Sequence, residues 1–250
     1  MGRFSVLEYE RDLSVAPQRA QEAYFASLMN VKKRQLVADL TENEGVIVQA
    51  GAMQIMLGQI EAATNVKGAG DLVRKFVGAK VSGETTIKPH YIGNGTLVLE
   101  PTYRYILFQN LADWRYGMVI EDGMFLACDD TVDQMITTRN TVSSAVLGGE
   151  GFFNTTLTGN GIVALESPVP SAEVITVDME DDELRIDGNM AIAWSYGLTF
   201  TVERTTRTLI GSAVSGEGLV NVYRGTGRVL IAPVERPKVA GNPENIPKGV

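Results

Sequence analysis

At 250 residues, with 44% apolar and 21% charged side chains, the chain is long enough for one large β domain or a few small ones and has the composition of a globular protein. Its 22 basic and 30 acidic residues leave a net charge of −8, a field that repels phosphate backbones and disfavours generic nucleic-acid binding. The single cysteine, Cys128, excludes an internal disulfide and fits a reducing compartment, and no apolar run approaches membrane-spanning length.

The first residues, MGRFSVLEYERDLSV, lack the apolar core of a secretory signal, so a cytoplasmic location is expected. Residues 16–30, APQRAQEAYFASLMN, predict a helix, with Pro17 suited to the first turn and Ala20, Ala23, Tyr24 and Leu28 along one face. A basic triplet, Lys32-Lys33-Arg34, follows. Then come three strand–turn–strand signatures: VIVQAGAMQIM (46–56), MVIEDGMFLAC (118–128) and ELRIDGNMAIAW (183–194). Asp122-Gly123 and Asp187-Gly188 read as hairpin turns, because glycine accepts the positive φ that such turns need. Residues 71–80, DLVRKFVGAK, predict a short helix docked on the β core.

Behind these signatures lies a repeat. Gly83-Glu84, Gly149-Glu150 and Gly216-Glu217 recur at near-equal intervals, and each is followed by Gly-x-Gly: Gly93/Gly95, Gly159/Gly161 and Gly225/Gly227. An apolar run succeeds each pair, and VGAKVSGE (77–84) echoes IGSAVSGE (210–217). Such periodicity is the mark of duplication, and units this small share a core by packing side by side. The chain therefore divides into an N-terminal extension with a helix (1–34), β units at 35–110, 111–172 and 173–235, and a loose tail (236–250) rich in proline. Each unit is expected to hold a strand, a turn and a strand, a connection, then two strands around Gly-x-Gly. The repeated glycines and glutamates are read as structural.

Reactive side chains are sparse. His90 is the only histidine, which excludes a multi-histidine metal site, and it is read as facing solvent or capping a strand. Cys128 precedes Asp129 and Asp130, neighbours that oppose thiolate formation, so it is read as a small buried hydrophobe. The clusters Asp129/Asp130/Asp133 and Glu180-Asp181-Asp182-Glu183 lack the spacing of a calcium loop and read as solvated turns. The glycine pairs match neither GxxxxGK[ST] nor a GxGxxG opening a helix, so no phosphate loop is expected. No catalytic residue, metal site or cofactor is assigned.

The strings GEGFFNTTLTGNGIVALES, GEGLVNVYRGTGRVLIAP and AGAMQIM followed by VKGAGDLVRKFVGAKVSGE resemble the altered-inheritance-of-mitochondria family, once catalogued as a domain of unknown function. The resemblance spans roughly residues 35–235, and the helix at 16–30 departs from it. It implies an all-β fold of three tandem units similar to the tryptophan RNA-binding attenuation protein, a short double-stranded β-helix that assembles as a ring. Three such chains make a nine-unit homotrimer. Lys32-Lys33-Arg34 resembles the basic triad with which that protein grips RNA, but it stands once, before the first unit. The functional expectation is a non-enzymatic, oligomeric β scaffold or binding protein whose main partner is itself. The alternative is a ring protein that binds a small molecule or RNA in clefts between units.

Overall fold

The structure, a computed structural model, describes residues 2–15, 17–63, 88–138, 153–204 and 219–234. It is an all-β chain with one short α-helix among the described residues. In chain order come β1 (Phe4–Glu8), a 3-10 turn (Pro17–Arg19), α1 (Ala20–Leu28), β2 (Arg34–Val48), β3 (Met53–Ala63) and β4 (His90–Leu99). These are followed by β5 (Tyr105–Asn110), β6 (Met118–Ile120), β7 (Phe125–Asp129), β8 (Val132–Thr138), β9 (Phe153–Gly159) and β10 (Ile162–Ser167). The last four strands are β11 (Ile175–Asp187), β12 (Ala191–Ser195), β13 (Thr199–Arg204) and β14 (Leu219–Ile231).

The strands form two seven-stranded sheets, and every pairing is antiparallel. One runs β3-β4-β2-β7-β10-β5 with β1 on β2; the other runs β11-β14-β12-β6-β9-β8 with β13 on β14. The middle of the chain serves both: β5, β7 and β10 join the first sheet, and β6, β8 and β9 join the second. The chain thus crosses between sheets at nearly every turn there, and this stitches the two sheets into one body.

The expected hairpins are absent. Gly51, Gly123 and Gly188 do take positive φ, at 77°, 72° and 66°. Yet β2 and β3 do not pair with each other, nor do β6 and β7, nor β11 and β12. A third strand lies between β2 and β3 (β4) and between β11 and β12 (β14), while β6 and β7 stand in different sheets. Turn chemistry reverses the chain locally but does not choose the ladder partner, which arrives from a later segment.

The Gly-x-Gly pairs mark creases. In β4 the strand passes unbroken through Gly93 and Gly95, opposite a register break in β2 between Leu40 and Glu44. In β14 it passes through Gly225 and Gly227, opposite a break in β11 between Met179 and Asp182. Only at Gly159 and Gly161 does the crease separate two strands, β9 and β10. Two strands around every Gly-x-Gly were expected; two of the three are single bent strands. Glycine is required at the first crease because a Cβ on Gly93 would run into the carbonyl oxygen of Gln59, and one on Gly95 into that of Leu57.

Alternating apolar residues of these strands build three contiguous cores. The first holds Phe4, Leu36, Val46 and Leu97 and is completed by Leu126, Ala127 and Ala164. The second holds Met118, Ile120, Leu157 and Leu165 and is completed by Ile192, Ala193 and Leu230. The third gathers Met179, Ile186, Trp194 and Tyr223. Phe200 stacks on Trp194 with ring centroids 5.8 Å apart.

Helix α1 forms within the expected segment, but its expected apolar face is not buried: Tyr24 is 61% and Leu28 66% exposed, and Ala26 is its one buried residue. Gly83, Glu84, Gly149, Glu150, Gly216, Glu217, the predicted helix 71–80 and the tail 236–250 lie outside the described residues.

Candidate functional site

The N-terminal extension is laid onto the first sheet through β1, whose Phe4 to Glu8 pair with Ala38 to Arg34 of β2. That register places acids beside the basic triplet. Lys32 Nζ lies 2.9 Å from Glu8 Oε1, and Arg34 Nε donates to Glu8 Oε2 at 2.8 Å. Lys33 Nζ donates to Asp12 Oδ1 at 2.7 Å. Each cation is thus paired, Lys32 and Arg34 sharing Glu8 and Lys33 taking Asp12, which weakens the triplet's pull on a phosphate backbone. Asp12 also accepts from the Ser14 amide at 2.9 Å and from the Tyr103 hydroxyl. The Lys33 ammonium, with the Ser14 and Tyr103 hydroxyls, holds the Asp12 carboxyl well below the usual carboxylate range. Burial, aided by the Asp12 charge, pushes the Tyr103 phenol up to about 12.

Under this segment runs a cleft of about 680 Å³ lined by Tyr9, Lys33, Gln35, Gln54, Glu100 and Tyr103 among others. Its floor is a polar chain: Gln35 Nε2 donates to Gln54 Oε1 at 2.6 Å, and Gln54 Nε2 donates to Glu100 Oε2 at 3.3 Å. A second cleft of about 420 Å³ shares Arg19, Glu100 and Pro101 and reaches Gln49, Leu126 and Glu166. Burial raises the Glu166 carboxyl above its ordinary range there.

The side chains singled out for chemistry do not converge with either cleft. His90 opens β4, half-buried rather than solvent-facing, with Nε2 3.3 Å from Asp130 Oδ2. Cys128 is fully buried in the second core; Gln134 Nε2 donates to its sulfur at 3.1 Å, and burial pushes the thiol up to about 12. Asp129 is spent on structure, accepting from the Ile162 amide at 2.7 Å and pairing with Arg3 Nε at 2.9 Å. Asp133 sits apart on β8. Glu180, Asp181, Asp182 and Glu183 line the crease of β11, where Asp181 takes φ 51°, and Glu183 is tied to Arg185 and Arg224 at 2.6 Å each. No group of three or more His, Cys, Asp or Glu side chains among the described residues is arranged to hold a metal ion. No helix among them is long and apolar enough to cross a membrane.

What sequence reading passed over is an edge. β3 pairs with β4 on one side and, among the described residues, with no strand on the other; β11 is placed likewise beside β14. The N-terminal half of β3 reads Met53-Gln54-Ile55-Met56-Leu57, with Ile55 52% and Leu57 69% exposed. An apolar strand edge of this kind is a template for pairing with another chain. The signal was present as the string MQIML, but a half-exposed strand and a buried one look alike without the sheet order.

A model of the family described as mitochondrial biogenesis AIM24 matches residues 27–234. An uncharacterized protein of Streptococcus pyogenes serotype M6 is 30% identical over 211 residues, covering 81% of this chain and 82% of its own. The X-ray crystal structure of a Streptococcus pyogenes protein superposes with a TM-score of 0.61 at 22% identity, over 93% of this chain and 94% of that one, a likeness of fold. The chain belongs to the mitochondrial biogenesis AIM24 family.

Proposed function

We propose that this member of the AIM24 family is a non-enzymatic scaffold of three small β units that assembles through its free strand edges into a closed homotrimer. Among the described residues β3 and β5 end the first sheet and β11 and β8 the second, and the observation that carries the reading is the pair β3, with exposed Ile55 and Leu57, and β11. The triple-unit parsing at 35–110, 111–172 and 173–235 is supported by the recurrent crease: β4, β9–β10 and β14 each carry Gly-x-Gly between two flanking strands. Each unit then resembles the short double-stranded β-helix of the attenuation protein. The repeated glycines at these creases serve the fold of the unit.

Pairing β11 of one copy with β3 of the next is a head-to-tail contact, which either closes as a ring or runs on as a filament. Closure at three chains gives nine units. A buried, unreactive lone thiol suits a cytoplasmic setting. Light scattering after size-exclusion chromatography tests the assembly: one chain is 27.1 kDa, and the closed trimer is roughly 81 kDa. A mass of one chain that does not change with concentration refutes it.

A second reading, small-molecule binding, is favoured by the 680 Å³ cleft with its Gln35-Gln54-Glu100 floor. A thermal-shift screen with amino acids, nucleotides and oligonucleotides separates the two, because a specific ligand stabilises the folded state. RNA is the least favoured ligand, given that Lys32, Lys33 and Arg34 are each paired with an acid.

A further inference from the structure

Two seams inside the chain join one unit to the next, and they follow one rule. In the first, Val46, Ile47 and Val48 of β2 pair with Asp129, Cys128 and Ala127 of β7. In the second, Met118, Val119 and Ile120 of β6 pair with Ser195, Trp194 and Ala193 of β12. Structural landmarks align these residues without reference to sequence identity. Val46 and Met118 are the partners of Tyr91 and Leu157, each two residues before the Gly-x-Gly. Ala127 and Ala193 each follow a single extra residue in the ladder, Leu126 and Ile192.

The same landmarks exist on β11 and β3, which among the described residues are each paired on one side. Leu184 is the partner of Tyr223, two residues before Gly225. Ile55 follows the extra residue Gln54 in the β3–β4 ladder. We propose that β11 of one chain adds to β3 of a second copy in the register of the internal seams, with Leu184, Arg185 and Ile186 opposite Leu57, Met56 and Ile55 of that copy. This rests on the scaffold reading and names its contact.

Burial supports the register independently. Each internal seam completes the core behind it: Ala127 and Ala164 close the first core, and Ala193 and Leu230 close the second, all of them buried. The matching residues of the first unit are Ile55 and Val98, paired across β3–β4 as Ala127 pairs with Ala164. Ile55 is half exposed, and Val98 is partly so. The third core, around Ile186, receives no such donors from a neighbouring seam among the described residues. A second copy delivers them to it, and the new seam sets Leu184, Ile186, Ile55 and Leu57 on one face as an apolar cluster.

The test uses the double variant Met56→Cys, Arg185→Cys. Facing residues in an antiparallel ladder have Cα atoms about 4.5–5.5 Å apart, within disulfide reach. Native Cys128 is buried and stays out of the reaction. Mild oxidation is expected to yield covalent dimers and trimers that a reductant reverses, while either single variant and the off-register pair Gln59→Cys, Arg185→Cys yield none. A trimer by light scattering without the 56–185 cross-link, or with the 59–185 one instead, overturns the register and leaves the scaffold reading standing. A monomer at all concentrations overturns both. As a second arm, Ile55→Asp alters a side chain exposed in the single chain, so circular dichroism is expected to stay unchanged while the mass falls to one chain; a trimer that survives this variant also overturns the seam.

Discussion

Two crease glycines, the second of the first Gly-x-Gly pair and the first of the third, carry expectations of different size. Gly95 lies where β4 touches β3, and an added Cβ would meet the backbone carbonyl of Leu57, an atom that cannot swing aside. Gly225 lies at the matching crease of β14, yet its Cβ would meet the Cδ2 of Leu198 at 3.7 Å and the carbonyl oxygen of Gly197 at 4.0 Å, both ordinary contacts. Its cost comes from backbone strain alone, since its φ is 117°. Strain in such a region costs roughly 1–3 kcal/mol, and wedging extra bulk into packed structure adds about 1–3 kcal/mol more. Gly95→Ala is thus expected to lose about 4 kcal/mol and Gly225→Ala about 2 kcal/mol. For a chain of this size each kcal/mol moves Tm by roughly 2–4 °C, so the first variant should melt about 8–16 °C lower and the second about 4–8 °C lower. The assay is thermal unfolding by circular dichroism at matched protein concentration, because the proposed assembly would make Tm depend on concentration. A Gly225→Ala variant that melts at or below Gly95→Ala would refute the carbonyl-contact argument.

Cys128 should resist a thiol reagent in the native protein at pH 8 and react fully once unfolded in guanidinium, since its thiol is buried and pushed up to about 12; rapid native labelling would contradict its place in the core. Asp12→Asn should cost about 1 kcal/mol at neutral pH by loosening the Lys33, Ser14 and Tyr103 contacts. Because the folded carboxyl is held below its ordinary 3.8, its contribution is complete above that pH and fades as pH falls toward the folded value. The gap in denaturation midpoint between wild type and variant should therefore narrow from pH 6 to pH 3; a gap that widens on acidification gives the pairing the wrong sign.

Strand character was legible wherever apolar and polar residues alternate, and the glycines of the creases were legible as markers of backbone that a side chain cannot follow. Sheet order was not. Asp122-Gly123 announces a reversal, but β6 and β7 diverge to separate sheets because each finds its partner in β9 or β10, which arrive later in the chain. The helical period of residues 16–30 gave α1, while the inference from an apolar face to a buried one failed: Tyr24 and Leu28 point outward because β1, not α1, fastens the extension to β2. The pairing of the basic triplet was illegible for a related reason. Its neutralising acids, Glu8 and Asp12, lie within the preceding residues, but only the β1–β2 register sets Glu8 beside Arg34.

The proposed seam between copies also accounts for a difference in polarity among three matching positions. The extra ladder residue is Leu126 in the middle of the chain and Ile192 further on, both buried in cores. On the free edge it is Gln54, held by Gln35 and Glu100 in the cleft under the N-terminal segment. The facing strand shows the same substitution of character: Ile47 and Val119 of the internal seams correspond to Arg185, tied to Glu183 and Glu203. An internal seam is covered from the moment the chain folds, whereas a seam between copies spends time in water before assembly. A fully apolar edge would pair with any strand it met, and charged or polar residues on an edge suppress such encounters. In the proposed seam Gln54 and Arg185 would keep the separate chain from pairing at random, while Ile55 and Leu57 across from Leu184 and Ile186 would retain the apolar face that makes that register favourable.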